Sequence, residues 1–233
     1  MTSEPHKQPV DVGEVVARLR HANARIVQSV EWGRATAEVW VAFNKAGPVR
    51  QAVAASTASE AAAVYEKAAL DAQIVTITRL LDLPSRRGAL DTNRLSFPVC
   101  RDLLALPGVA EFLAEEAKGW NELGDRSADQ VRERLGRFCG RLEALEHEEN
   151  PNRAKLLRDF RDENIAHELH FSEKRERPLF RHIGELLAEV MALTEDLAFV
   201  VEGDVVRWRE DETTASACDL WGAVAAIHPL DGE

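Results

Sequence analysis

Five polar side chains lie close together late in the chain: Arg161, Asp162, Asn164, His167 and Glu168. An imidazole with an ordinary pKa near 6.5 takes or gives a proton at neutral pH (about 6.5 is its unperturbed value). A guanidinium forks onto phosphate oxygens and stabilises developing negative charge. Asn164 lies three residues from both Arg161 and His167, placed to orient a bound anion or the imidazole. Asp162 or Glu168 would hold Arg161 or fix the histidine tautomer. The chemistry this set supports is proton transfer next to a stabilised oxyanion.

The element that must position them is a helix over Leu156–His170. Advancing about 100° per residue puts Leu156, Phe160 and Leu157 on one apolar stripe, with His167 and Asn164 inside it and Arg161 and Glu168 on its edge. Such polar residues are rarely buried without partners. They must share a polar pocket, cross a subunit interface or line a cleft. A self-satisfied structural network is the alternative to a working site. On a regular helix, Arg161 and His167 stand about 120° and 9 Å apart. The arginine must therefore reach around, the helix must bend, or a second subunit must supply a copy.

The spacing Arg161-Asp-Glu-Asn-Ile-Ala-His167 resembles the signature of the HEPN superfamily, and RDENIAHEL is most similar to its abortive-infection AbiU-like branch. Trp40, the ITRLLD run at Ile77–Asp82 and the NRLSF run at Asn93–Phe97 resemble that branch too. The resemblance implies a metal-independent endoribonuclease of a phage-defence or toxin system. Arg161 and His167 would be catalytic, two copies of the motif would meet in a homodimer, and the product would be a 2′,3′-cyclic phosphate. It equally admits a non-catalytic module that binds a nucleotide or a protein. No cofactor and no metal are expected. The implied partners are a second copy of the chain, RNA rather than DNA, and an antitoxin or regulatory protein.

Charge sets bounds on this. The net charge is −11, which argues against nonspecific coating of nucleic acid. Residues 151–182 carry eight basic against six acidic side chains. Arg158, Lys174, Arg175 and Arg177 in this stretch are weak candidates for RNA contact. Three cysteines with no C-x-x-C spacing read as reduced packing residues of a cytoplasmic protein. No apolar run approaches the roughly 20 residues of a membrane span.

The rest of the chain reads as one all-α domain, an up-and-down helical bundle with additional N-terminal and C-terminal helices. Residues 1–10 are expected to be disordered. Asp11 with Glu14 opens a long helix that ends at Gly47-Pro48. An alanine-rich helix then runs from about 51 to Leu83-Pro84. Arg79 and Asp82 are expected to pair locally, and Arg86, Arg87 and Arg94 to lie on a solvated turn. Ser96 caps a short helix. A helix over Val109–Leu123 turns Phe112, Leu113, Ala117 and Trp120 inward. Ser127 with Gln130 caps the next helix. Asn150-Pro151 launches the motif helix, about 27 Å long if it spans some 18 residues. Pro178 opens the last long helix and Gly203 ends it. His170 and His182 read as surface or satisfied core residues. A docking helix at 211–228 follows, with Cys218, Leu220, Trp221 and Ala225 on its apolar face.

Overall fold

The computed structural model describes residues 11–45, 47–56, 58–84, 89, 93–149, 152–166, 178–208 and 210–227. Among these there are nine α-helices and one π-helical turn, and no strand. The all-α expectation is met.

Helix α1 (Val12–Lys45) is the spine. Asp11 caps it as expected: its Oδ1 accepts the amides of Gly13 and Glu14 at 2.9 and 3.2 Å. The buried stripe Val15, Val16, Leu19, Ala22, Ile26 and Val30 recurs at helical spacing and faces the main core. Helix α3 (Ser59–Leu80) lies antiparallel to it. Asn44 meets Glu66 at one end and Arg79 meets Ser29 at the other. The two backbones approach closely at Gly33, where a Cβ would stand 3.3 Å from the Thr76 methyl.

Between them is α2 (Gly47–Ala54). The expected continuous helix from 51 to 83 is broken after Ala54. The Ser56 hydroxyl donates to the Val53 carbonyl and accepts the Ala58 amide. This local bonding competes with the helical ladder and ends it.

Helices α4 (Phe97–Leu104), α5 (Val109–Ala117) and α6 (Asp125–Glu146) follow. Helix α5 is shorter than expected; Leu113 and Ala117 are buried, but Phe112 is exposed. Ser127 is not the cap of α6. It lies inside the helix, and its hydroxyl donates to Asn121 Oδ1 at 2.9 Å.

The last long helix, α8 (Phe180–Glu202), carries the expected core stripe from Ile183 to Val200. Leu186, Val190, Leu193 and Leu197 are fully buried, each contributing about 1.5–3 kcal/mol. Its start is anchored by Trp40 of α1, which stacks on Phe180 with centroids 4.9 Å apart. His182 is a satisfied core histidine: it is buried, and its Nδ1 accepts the Leu179 amide. Helix α9 (Glu210–Ile227) lies against α1, with Trp221 packed against Phe43 and Val53. Ala217, not Leu220 or Cys218, shares that buried face. Of the three thiols, Cys100 is buried, Cys139 half-buried and Cys218 exposed, so the packing role fails for Cys218. Among the described residues, no helix is long and apolar enough to cross a membrane.

Candidate functional site: an arginine paired with an aspartate of a basic cleft

The motif element is not one straight helix. Helix α7 (Arg153–Phe160) runs for eight residues and passes into a π-helical turn at Arg161–Ala166. Its described cap is Asn152, whose side chain accepts the Lys155 amide at 2.8 Å. Asn150 and Pro151 lie outside the described residues. A π-helical turn widens the backbone to i→i+5 bonding and often marks a functional site. It begins at the arginine of the motif. From Arg161 onward, angles extrapolated at α-helical pitch no longer apply.

Asn164 serves this turn. Its side-chain amide donates to the Phe160 carbonyl, four residues back, at 3.0 Å. In i→i+5 bonding that carbonyl is passed over by the amide of residue 164, and the side chain supplies a second donor. Asn164 is thus a backbone brace here and not a partner of Arg161.

Arg161 is one-fifth exposed and engaged on two sides. Its Nε donates to Asp162 at 2.8 Å. Its Nη1 lies 3.3 and 3.2 Å from the two oxygens of Asp82, at the end of α3. Nη2 makes no hydrogen bond to a described residue. Burial alone would lower the Arg161 pKa. The Asp162 hydrogen bond and the charges of Asp82 and Asp162 outweigh it and raise the pKa above its ordinary value.

Asp82 was expected to pair with Arg79. The structure gives it to Arg161, while Arg79 donates to the Ser29 hydroxyl at 2.9 Å. A local pair three residues apart loses because α3 ends at Leu80, and Asp82 lies beyond its last turn, where helical i, i+3 spacing no longer holds.

The Asp82 backbone is fixed from another direction. Fully buried Ser96 stands at the N-cap position of α4, yet its hydroxyl does not cap that helix. It donates to the Asp82 carbonyl at 2.7 Å. Arg94 donates to the Leu83 carbonyl at 2.8 Å. The ITRLLD and NRLSF runs are thereby joined into one wall.

That wall borders a cleft of about 370 Å³, within the range of ligand sites. Ile26, Leu80 and Leu95 supply its apolar lining; Arg25, Ser29, Arg79, Asp82, Asn93 and Arg94 supply its polar lining. Sequence reasoning favoured a local pair for Arg79 and Asp82 over a contribution to the cleft, read Arg94 as part of a solvated turn, and missed Arg25 and Ser29. The available signal was the i, i+4 placement of Arg25 and Ser29 on α1.

The other expected site residues divide in two. Arg158 turns back on its own helix, its Nε 3.3 Å from the Ala154 carbonyl. His167, Glu168, Lys174, Arg175 and Arg177 lie outside the described residues, as do Arg86, Arg87 and His170.

Among known proteins, the model of the HEPN AbiU2 family matches residues 16–216. That span runs from within α1 through the π-helical turn and α8 into α9. No curated protein and no solved structure matches the chain.

Proposed function

The chain belongs to the HEPN AbiU2 family, and from that premise we propose that it is a metal-independent endoribonuclease of an abortive-infection or toxin system. The observation that supports this most is the placement of Arg161. Two carboxylates orient its guanidinium, one of them the cleft-lining Asp82, in a π-helical turn, six positions before His167. A preorganised cation aimed where charge develops is a large contributor to catalysis.

In this reading His167 takes the proton of the RNA 2′-hydroxyl. The resulting alkoxide attacks the adjacent phosphorus, and the bond from phosphorus to the 5′-oxygen breaks. The 5′-oxygen leaves with a proton from an acid, and the products are a 2′,3′-cyclic phosphate and a 5′-hydroxyl. Arg161 stabilises the extra charge on the phosphorane through Nη2 while Asp82 and Asp162 hold the other edges of the fork. His167 of a second copy, in a homodimer, supplies the acid. The assembly is isologous, so each copy both gives and receives.

A second reading has one observation in its favour. The carboxylates that orient Arg161 also offset its charge, as in a purely structural ion-pair network. The chain would then be a HEPN module that binds a nucleotide or a protein partner without cleaving RNA.

The test is cleavage of total cellular RNA in EDTA, with the product ends identified. The proposal expects cyclic-phosphate ends from the wild type and no products from His167→Ala. Cleavage that persists in His167→Ala, or that stops in EDTA, refutes the mechanism.

A further inference from the structure

Many of the described arginines are neutralised by carboxylates. Arg20, Arg101 and Arg153 each meet a glutamate within 3.0 Å. Arg134, Arg137 and Arg141 converge on the buried Asp196. Arg25 and Arg79 differ. Both are exposed, and their hydrogen bonds to described residues go to neutral groups: Gln28 at 3.0 Å and Ser29 at 2.9 Å. These bonds orient each guanidinium without cancelling its charge. With Arg94, three arginines and one aspartate are the charged groups among the described residues that line the cleft, and that aspartate is already paired with Arg161. In a chain of net charge −11, this is a local anion-attracting pocket.

A second observation lies beside it. Trp32 is 70% exposed. Advancing about 100° per residue puts Ser29 and Trp32 within about 40° of Arg25 on α1. At 1.5 Å per residue, Trp32 stands about 10 Å along the axis from Arg25 and about 4.5 Å from Ser29. A bare indole therefore continues the stripe that forms one wall of the arginine cleft. Backbone-tracking cations with an aromatic stacking surface are the common design of single-strand binding sites.

We propose that this cleft binds the phosphodiester backbone of a single RNA strand, with Arg25, Arg79 and Arg94 on successive phosphates and Trp32 stacked on a base. The choice of RNA rests on the ribonuclease reading above. The strand leaves the cleft past Asp82, which delivers the next phosphate to Arg161. Asn93, at the same rim, is placed to bond a base edge or a ribose hydroxyl.

The experiment is fluorescence anisotropy of a labelled oligouridine of about twelve nucleotides, long enough for one such site. The full chain is used in EDTA in a His167→Ala background, so that the RNA stays intact. The joint Arg25→Ala, Arg79→Ala and Arg94→Ala variant is expected to reduce the slope of log affinity against log salt by about 2, at about 0.7 per lost single-strand contact. Trp32→Ala is expected to weaken binding roughly 5- to 150-fold with the salt slope unchanged. Arg132→Ala, on α6, serves as the control and is expected to change nothing. Circular dichroism checks that each variant is folded.

Unchanged affinity and slope in the folded triple variant overturns the proposal. So does equal affinity for duplex RNA, or a Trp32→Ala effect that appears as a loss of dimer mass and not of RNA affinity. The outcomes separate this proposal from the one it rests on. Cleft-dependent binding by a wild type that never cleaves refutes the enzyme and keeps the cleft. Cleavage undiminished in the triple variant refutes the cleft and keeps the enzyme.

Discussion

The Arg161 guanidinium lies 3.2 Å from the Asp82 carboxylate, although the two residues are 79 positions apart in the chain. This contact joins the motif turn to the end of α3, and through Ser96 to the start of α4. It also accounts for three separated stretches of sequence forming one wall.

Removing the carboxylate tests that role. Asp82→Ala is expected to cost only about 1 kcal/mol of stability, because the pair is partly solvated and Asp162 still holds Arg161. Cleavage is expected to fall by about tenfold or more in kcat, with KM changed little, since the loss is one of positioning. Denaturant melts and steady-state kinetics on one RNA measure both. A kcat equal to that of the wild type would show that Asp82 is only a structural tie. Arg161→Lys is not expected to substitute, because an ammonium lacks the fork that reaches Asp82, Asp162 and a phosphate together.

The helices were largely legible in the sequence; their interruptions were not. The α8 stripe from Ile183 to Val200 and the cap at Asp11 appear where periodicity and capping put them, because both are local signals. The break at Ser56 depends on a hydroxyl choosing the backbone over solvent, which no apolar period records. The π-helical turn at Arg161–Ala166 was hidden for a related reason. Its sequence carries no glycine or proline, and the side chain that supports it, Asn164, looked like part of the reacting group. Asp82 was assigned to Arg79 because sequence spacing shows neighbours along a helix and not contacts across the bundle. Arg161 and Asp162 were singled out by their types and spacing; Arg25 and Ser29 were not, because an arginine and a serine on a helix surface are ordinary until the fold closes a cleft over them.

Gly203 ends α8 with φ of 73°, and a Cβ there would stand 2.6 Å from the Trp120 ring. Gly203→Ala is expected to destabilise the chain by about 2–4 kcal/mol, from the left-handed backbone and the displaced indole together. Urea unfolding reads the change, and tryptophan fluorescence should report the altered Trp120 site. A shift of the midpoint too small to resolve would contradict this packing.

Burial pushes the Cys100 thiol up to about 12, with the Arg18 charge acting in the opposite direction. An unfolded thiol ionises near 9.0. Between those values the unfolded chain releases a proton that the folded chain keeps. Stability is therefore undiminished below pH 9 and declines as pH rises toward 12, with a limiting slope of about 1.4 kcal/mol per pH unit from this group. Urea midpoints measured from pH 7 to 10.5 should fall more steeply for the wild type than for Cys100→Ala. Identical slopes would show that Cys100 is not sealed in the core. Native labelling offers a companion check, with exposed Cys218 reacting well before Cys100.

The most direct test of the catalytic account is the single-turnover cleavage rate of one defined RNA by excess protein, for the wild type, Arg161→Ala and His167→Ala. The account predicts that each variant stays folded and dimeric and that each rate falls about 100-fold or more, as expected for a lost charge stabiliser and a lost proton-transfer group. A full wild-type rate in either variant would contradict it and leave the arginine network as a structural feature of the bundle.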